Sequence, residues 1–362
     1  MKTRIAVIFG GKSAEHEVSA RSASNIYNAV DRNRFDVLLL GISKTGEWRF
    51  NAAYQSTGKI QLNANEYFRR ALPVRIDNQS GRAAILSKQT NQVAGTFDVA
   101  FPIIHGTFGE DGTLQGILKS LNIPFVGPDV LGSAVCMDKD VTKRLLRDSG
   151  IPIADFITLR KHERSSVSFA EAESKLGLPM FVKPCNAGSS VGVSKVTDEK
   201  TFRAALNTAF AFDNKILIEE AVIGKEVECG VLGNEELRVS VVGEIIPNKD
   251  FYSYDAKYID ADGATLKVPA DIEKEIAEDI RQTALKAFTA TCCEGMARVD
   301  FFLRPDNTFV LNELNTLPGF TSISMYPKVF EMSRVSYSGL ITRLVELALE
   351  RYERDSKLKT VI

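Results

Sequence analysis

The chain has 362 residues, more than one ordinary domain, and predicts two or three. Its 44% hydrophobic and 25% charged content is that of a globular protein, and a formal net charge of -1 excludes a basic nucleic-acid footprint and a polybasic membrane patch. No apolar run approaches the roughly 20 residues of a membrane helix, and five cysteines without a Cys-x-x-Cys pair argue against structural zinc.

The opening Met1–Gly11 reads as a first buried strand rather than a secretory leader, with Ile5–Phe9 as its apolar part. With the odd cysteine count it predicts a reducing, cytoplasmic compartment. After the turn at Gly10-Gly11-Lys12, Ser13 can cap a helix running to about Asp31. Strands are expected at Asp36–Ile42 and Asp98–Ile104, then a loop His105–Gly112 and a helix to Leu121. Residues 51–97 are polar and weakly periodic, and read as a variable excursion. The alternation predicts a parallel sheet with helices on both sides over residues 1–125. A helix from Ser133 to Arg147, strands near Ala154–Leu159 and Pro179–Lys183, and a capping box Ser168-x-x-Glu171 open a small α+β unit. That unit closes with a strand at Val193–Val196, a helix over about Asp198–Phe212 and a strand Lys215–Glu219, giving residues 126–218. Strands dominate from Glu219 to Pro269. A helix then places Ile272, Ile276, Ile280, Ala284 and Phe288 on one stripe. A hairpin over 298–315 and a helix Ser336–Tyr352 complete the third unit, 219–362.

That hairpin carries the chemistry. A two-residue loop at Asp306-Asn307 pairs Asp300 with Glu313, Arg298 with Asn315, Val299 with Leu314 and Leu303 with Val310. Side chains alternate with period 2, so Arg298, Asp300, Glu313 and Asn315 share one face. Two carboxylates and an amide oxygen suit Mg²⁺, and an Arg beside them suits an oxygen that gains charge. The plainer alternative is a solvated face with a cross-strand ion pair.

The loop Asn186–Gly192 offers backbone N–H groups and the hydroxyls of Ser189 and Ser190 to phosphate oxygens, with Lys183 at the strand end. A merely flexible hairpin tip is the alternative. Lys139 lies near the start of a helix, where the dipole disfavours a cation and a nearby phosphate would compensate, but by itself it reads as a surface lysine paired with Asp138 or Asp140. The strand Ile216–Val222 ends in acids and can meet an adenine edge, with Glu226 near ribose hydroxyls. Tyr252, Tyr254, Lys257 and Tyr258 suit a lid over about 251–265 that excludes water. Glu15, in the first helical turn, either complements the helix dipole or holds a substrate ammonium. Gly10-Gly11-Lys12-Ser13 fails as a P-loop because Ala6 stands where glycine is needed, and the dinucleotide fingerprint fails there too.

Six separated motifs in order carry a resemblance over nearly the whole chain. They are Gly10–Ser19, His105–Gly112, Met137-Asp138-Lys139, Lys183–Gly192, Tyr252–Tyr258 and Asn312–Gly319. Together they resemble the D-alanine–D-alanine ligase family of the ATP-grasp superfamily. The departures are Cys185, where a small or hydroxylated residue is usual, and the 51–97 stretch. The resemblance implies a three-domain ATP-grasp architecture, with ATP between the central and C-terminal domains. It also implies a reaction: ATP phosphorylates one D-alanine, and a second attacks the acyl phosphate to give D-alanyl-D-alanine for peptidoglycan synthesis.

By the same resemblance, Lys139 and Lys183 bind ATP phosphates, Ser189, Ser190 and Lys257 also bind ATP, and Glu219, Ala221, Val222 and Glu226 hold adenine and ribose. Glu15 and His105 take the first D-alanine, and Lys257 and Ser324 the second. Glu15, Ser189 and Tyr258 form a hydrogen-bonded triad, and Arg298 with the Gly319 N–H forms an oxyanion hole worth about 3–4 kcal/mol per donor. Asp300, Glu313 and Asn315 hold two Mg²⁺ or Mn²⁺ ions. A homodimer is expected. Two other readings compete: an ATP-grasp ligase for a different acid and amine, and a nucleotide-sensing protein without turnover.

Overall fold

The structure, a computed structural model, describes residues 2–55, 58–79, 81–247 and 264–359. Three sheets organise them.

The first sheet takes β1 (Thr3–Gly10), β2 (Phe35–Ile42), β3 (Trp48–Phe50), β4 (Leu72–Gln79), β5 (Arg82–Ser87), β6 (Val93–Phe97) and β7 (Val99–Pro102), ordered β6-β5-β4-β3-β2-β1-β7. Helices α1 (His16–Ala29), α2 (Ala64–Arg70) and α3 (Thr113–Ser120) belong to the same segment. Only the β1–β2 and β1–β7 pairs are parallel, and β2 through β6 pair antiparallel. This corrects the expected all-parallel sheet. A parallel pair needs a crossover, which α1 supplies, whereas β4–β5 and β5–β6 are joined by short turns that permit only antiparallel return. The 51–97 stretch is likewise no irregular excursion. It contributes α2 and β4 to β6, and Val74 and Ile85 lie fully buried in the core.

Next come α4 (Val130–Met137) and α5 (Lys139–Asp148), where one helix was expected. Asp138 breaks it: its backbone is extended (φ -87°, ψ 99°), and its Oδ1 accepts from Val141 N at 3.1 Å. Lys139 thus opens a new helix. The second sheet, β10-β9-β11-β8, is built from β8 (Phe156–Arg160), β9 (Met180–Pro184), β10 (Ser194–Val196) and β11 (Lys215–Glu220), covered by α6 (Phe169–Leu176) and α7 (Glu199–Phe212). The Ser168–Glu171 capping box opens α6 as expected.

The third sheet holds β12 (Lys225–Gly233), β13 (Arg238–Val239), β14 (Gly243–Pro247), β15 (Ala264–Lys267), β16 (Gly295–Leu303) and β17 (Phe309–Asn315). Its inner face packs on α8 (Lys274–Ala290) through Ile280, Ala284 and Phe288, the expected stripe. Helices α9 (Met325–Met332) and α10 (Tyr337–Ser356) close the chain. They pack back on the first sheet, where Phe330, Leu340 and Leu344 share a core with Phe9 and Tyr27. The Arg351 guanidinium anchors this junction by donating to Gly127 O at 2.5 Å and Phe125 O at 2.7 Å. Among the described residues no helix is long and apolar enough to cross a membrane.

Candidate active site

The β16–β17 hairpin pairs Arg298 with Asn315, Val299 with Leu314 and Asp300 with Glu313, as the alternation predicts. Nearer the turn the expectation fails, because Leu303 pairs with Phe309 rather than Val310. The loop is one residue longer than expected. Arg304 N donates to Thr308 O at 2.8 Å, Asn307 N donates to Arg304 O at 3.0 Å, and Asn307 is left-handed (φ 67°), as in three-residue hairpins. A bulge between Asp300 and Phe301 then sets one extra residue, Asn312, into β17 and restores the register. The bulge also flips the strand's alternation. Leu311 and Leu314 face the core, while Asn312, Glu313 and Asn315 line a cleft.

Two adjoining cavities meet at this hairpin. One of about 70 Å³ is lined by Glu15, His105, Glu110, Lys139 and Gly188, among others. The other, about 380 Å³, is lined by Glu226, Glu228, Asp300, Asn312, Ser324 and Lys328, among others. Ser189, Arg298, Glu313, Asn315 and Gly319 line both. The wall between the cavities is therefore made of residues the sequence singled out.

The first sheet delivers its residues through the ends of β1 and β7. Glu15, just before α1, is 6% exposed and accepts a hydrogen bond from the Ser189 hydroxyl. Ser189 and Ser190 are both left-handed (φ 52° and 60°), a costly conformation for residues with a Cβ and one that concentrates at functional loops. His105 is buried. Its Nδ1 lies 2.9 Å from Leu317 O, and its Nε2 lies 3.3 Å from Ser22 Oγ. The carbonyl can only accept, so Nδ1 carries the proton. Burial pushes the His105 pKa below its ordinary 6.5 and keeps the ring neutral.

Lys139 is not a surface lysine bound to Asp138 or Asp140. Its Nζ donates to Ala187 O at 2.7 Å and lies 3.6 Å from Glu313 Oε2, while Lys215 takes both aspartates. Arg298 is half-buried between two buried acids. Burial disfavours its charge, but Asp300 and then Glu228 outweigh that and hold its pKa well above the ordinary value. The ion pairs at Arg298 differ from those of the plainer hairpin alternative: they run to Asp300 on the same strand and to Glu228 on β12, and both acids are buried rather than solvated.

Lys183 and Glu219 meet each other rather than either cavity. Lys183 Nζ lies 2.5 Å from Glu219 Oε1, and the buried Lys143 lies 2.8 Å from Oε2. Ala221 and Val222 follow directly on the end of β11. Ser324 Oγ accepts from Thr321 N at 3.0 Å. Lys257 and Tyr258, and all of the expected lid except Ala264 and Thr265, lie outside the described residues.

Sequence reasoning missed three residues here. Glu110 lines the smaller cavity, and burial followed by the Glu15 carboxylate pushes its pKa well above the ordinary value. Asn312 enters only through the bulge. Glu228 was legible, since Glu226-Val227-Glu228-Cys229 alternates with period 2 and puts both acids on one face.

Among the described residues no group of three or more His, Cys, Asp and Glu lies close enough to hold a metal ion. The donor set here is instead two carboxylates and an amide. Asn315 Oδ1 is buried without a hydrogen-bond partner. An orphaned oxygen beside Asp300 and Glu313 fits a hard divalent cation.

Residues 4–128 match the family model described as D-ala D-ala ligase N-terminus, and residues 145–346 match D-ala D-ala ligase C-terminus. The chain is 54% identical to D-alanine–D-alanine ligase A of Escherichia coli (strain K12) over 100% of both chains. It is 51% identical to D-alanine–D-alanine ligase of Oceanobacillus iheyensis over 99% of both. Among solved structures, the D-alanine–D-alanine ligase from Coxiella burnetii superposes with a TM-score of 0.87 at 36% identity, covering 98% of this chain and 96% of that one. VanG D-Ala:D-Ser ligase from Enterococcus faecalis gives 0.85 at 36% identity, covering 96% and 100%. The fold and its cleft are those of an ATP-dependent ligase. The chain belongs to the D-alanine–D-alanine ligase family.

Proposed function

We propose that the protein joins two D-alanine molecules to D-alanyl-D-alanine at the expense of ATP, through an acyl phosphate. The observation that carries this reading is the shared wall of Ser189, Arg298, Glu313, Asn315 and Gly319 between the two cavities. A carboxylate is a poor electrophile until phosphate becomes its leaving group. The reaction therefore needs a site for an amino acid beside a site for a triphosphate, with cationic and N–H groups at the junction. The smaller cavity, with Glu15 and His105, suits the first amino acid: Glu15 attracts the ammonium, and neutral His105 adds no repelling charge. Lys139 and the Ser189–Ser190 loop suit the phosphates, and Glu226 in the larger cavity suits the ribose. Attack by the second amine makes a tetrahedral oxyanion, whose stabilisation is assigned to Arg298 and the Gly319 N–H. Ser324 is assigned to the second carboxylate. Asp300, Glu313 and Asn315 would hold Mg²⁺ or Mn²⁺, which neutralises phosphate charge when bound.

Three domains are proposed, 1–125, 126–218 and 219–362, with ATP between the last two. A cytoplasmic homodimer supplying cell-wall precursor completes the reading. The VanG likeness favours one alternative, a different second substrate on the same scaffold. ADP release and product mass with ATP plus D-alanine, L-alanine, or D-alanine with D-serine decide between them. The reading expects the D-alanyl dipeptide as main product. No ADP release with D-alanine would overturn it, and preference for D-serine would transfer it to the alternative.

A further inference from the structure

We infer that Glu228 is a positioning residue that holds the Arg298 guanidinium in its working orientation. The inference rests on the assignment of Arg298 to the oxyanion. Glu228 and Asp300 are directly opposed across the antiparallel strands β12 and β16. Like charges so placed repel, and both residues are buried, at 5% and 8% exposure, where water screens them poorly. The pairing is favourable only with a cation between them, and Arg298 supplies it. Its Nε lies 2.8 Å from Asp300 Oδ1 and 2.9 Å from Glu228 Oε2, and its Nη2 lies 2.7 Å from Asp300 Oδ2.

The surroundings fix the direction of the side chain. The cross-strand partner of Arg298 is Gly230, which has no side chain to meet it. A Cβ at Gly230 would stand 2.5 Å from the Phe330 ring and 2.9 Å from the Tyr326 ring, so α9 walls that side. The guanidinium is left to run along the strand between the two acids. Asp300 takes its Nε–Nη2 edge in two hydrogen bonds, and Glu228 faces Nε as an ion-pair partner. A planar fork gripped on one edge presents the other edge to an incoming oxygen anion in a fixed orientation. Loss of either grip frees the fork to rotate, and a misplacement near 1 Å costs roughly a hundredfold in rate.

Glu228→Gln keeps the shape and removes the charge. We expect its kcat to fall roughly ten- to a hundredfold while KM for ATP moves by less than about threefold. Glu228→Asp should recover part of the loss. In an Arg298→Ala background the same change should cost nothing more, because the group it positions is gone. Urea melts check that each variant folds. If Arg298→Ala does not fold, Arg298→Lys serves as the background, keeping the charge and losing the fork. An unchanged kcat in Glu228→Gln, or a full additional loss in the Arg298 backgrounds, overturns the inference. Near-normal turnover of Arg298→Ala overturns the oxyanion assignment and the inference with it.

Discussion

The Ser189 hydroxyl donates to Glu15 Oε1, joining residues 174 apart in sequence. One contact thereby ties the start of α1, beneath the first sheet, to the loop that leaves β9 of the second. A charge-assisted hydrogen bond of this kind contributes about 1.5–3 kcal/mol. Ser189→Ala should lower kcat/KM for the first amino acid by about ten- to a hundredfold. Initial rates with D-alanine varied would read it, and an unchanged kcat/KM would reduce the contact to a structural one.

Glu219 binds two lysines at once, and its charge state sets a pH dependence of stability. Burial acts to raise its pKa, but Lys143 and Lys183 outweigh burial and hold it below the ordinary 4.5. Lys143 is itself pushed below 10.5 by burial, against the pull of Glu219, as expected where two cations share one anion. A carboxylate with a depressed folded pKa stabilises above its unfolded value and loses that contribution as pH falls through the folded one. Glu219→Gln should therefore cost about 3–5 kcal/mol at neutral pH, because it strands the buried Lys143 ammonium and the half-buried Lys183 beside it. The difference from the parent should shrink as the medium is acidified below 4.5. Paired urea melts at neutral and acid pH measure this, and an equal gap at both would sink it.

Gly319 leaves no room for a side chain. A Cβ there would stand 2.7 Å from Ser324 Oγ, which is held by Thr321 N at 3.0 Å and Thr321 Oγ1 at 2.8 Å and cannot simply swing aside. Gly319→Ala should raise KM for the second amino acid about tenfold and lower kcat. Two-substrate kinetics separate this from an effect on ATP. A change confined to KM for ATP would remove Gly319 and Ser324 from the second-substrate site.

Glu313 lies on the shared wall beside the orphaned Asn315 Oδ1. Glu313→Gln keeps the size and weakens a hard-cation ligand, so the Mg²⁺ concentration for half-maximal rate should rise about tenfold or more. Mg²⁺ titration of turnover and of nucleotide binding would show it. An unchanged requirement would count against the hairpin as a cation site.

How far the sequence could be read depended on whether the deciding interaction was local. The face shared by Arg298, Asp300, Glu313 and Asn315 was legible, because period-2 alternation follows from strand geometry. Even so, the register held there through two errors that cancelled: the turn is one residue longer than expected, and the Asn312 bulge takes up the difference. The α8 stripe and the α6 capping box were legible for the same reason. The break at Asp138 was not, because a helix pattern runs through it and only the cap geometry shows the join. The strands within 51–97 were missed because β6 and the two-residue polar gap before β5 carry little alternation, while their burial comes from neighbours elsewhere in the sheet.

By itself the sequence determined which side chains leave each strand or helix on the same side, since backbone periodicity alone decides that. It also set the loops where glycines and serines could expose backbone N–H groups. The meeting of Glu15 with Ser189 was expected from the resemblance and from no local pattern, and only the tertiary structure decided that His105 reaches Leu317 and that Glu228 shares Arg298 with Asp300. Each of those contacts joins separate elements, several of them on different sheets. Such contacts form when distant apolar faces pack together, and no local pattern encodes which faces will meet.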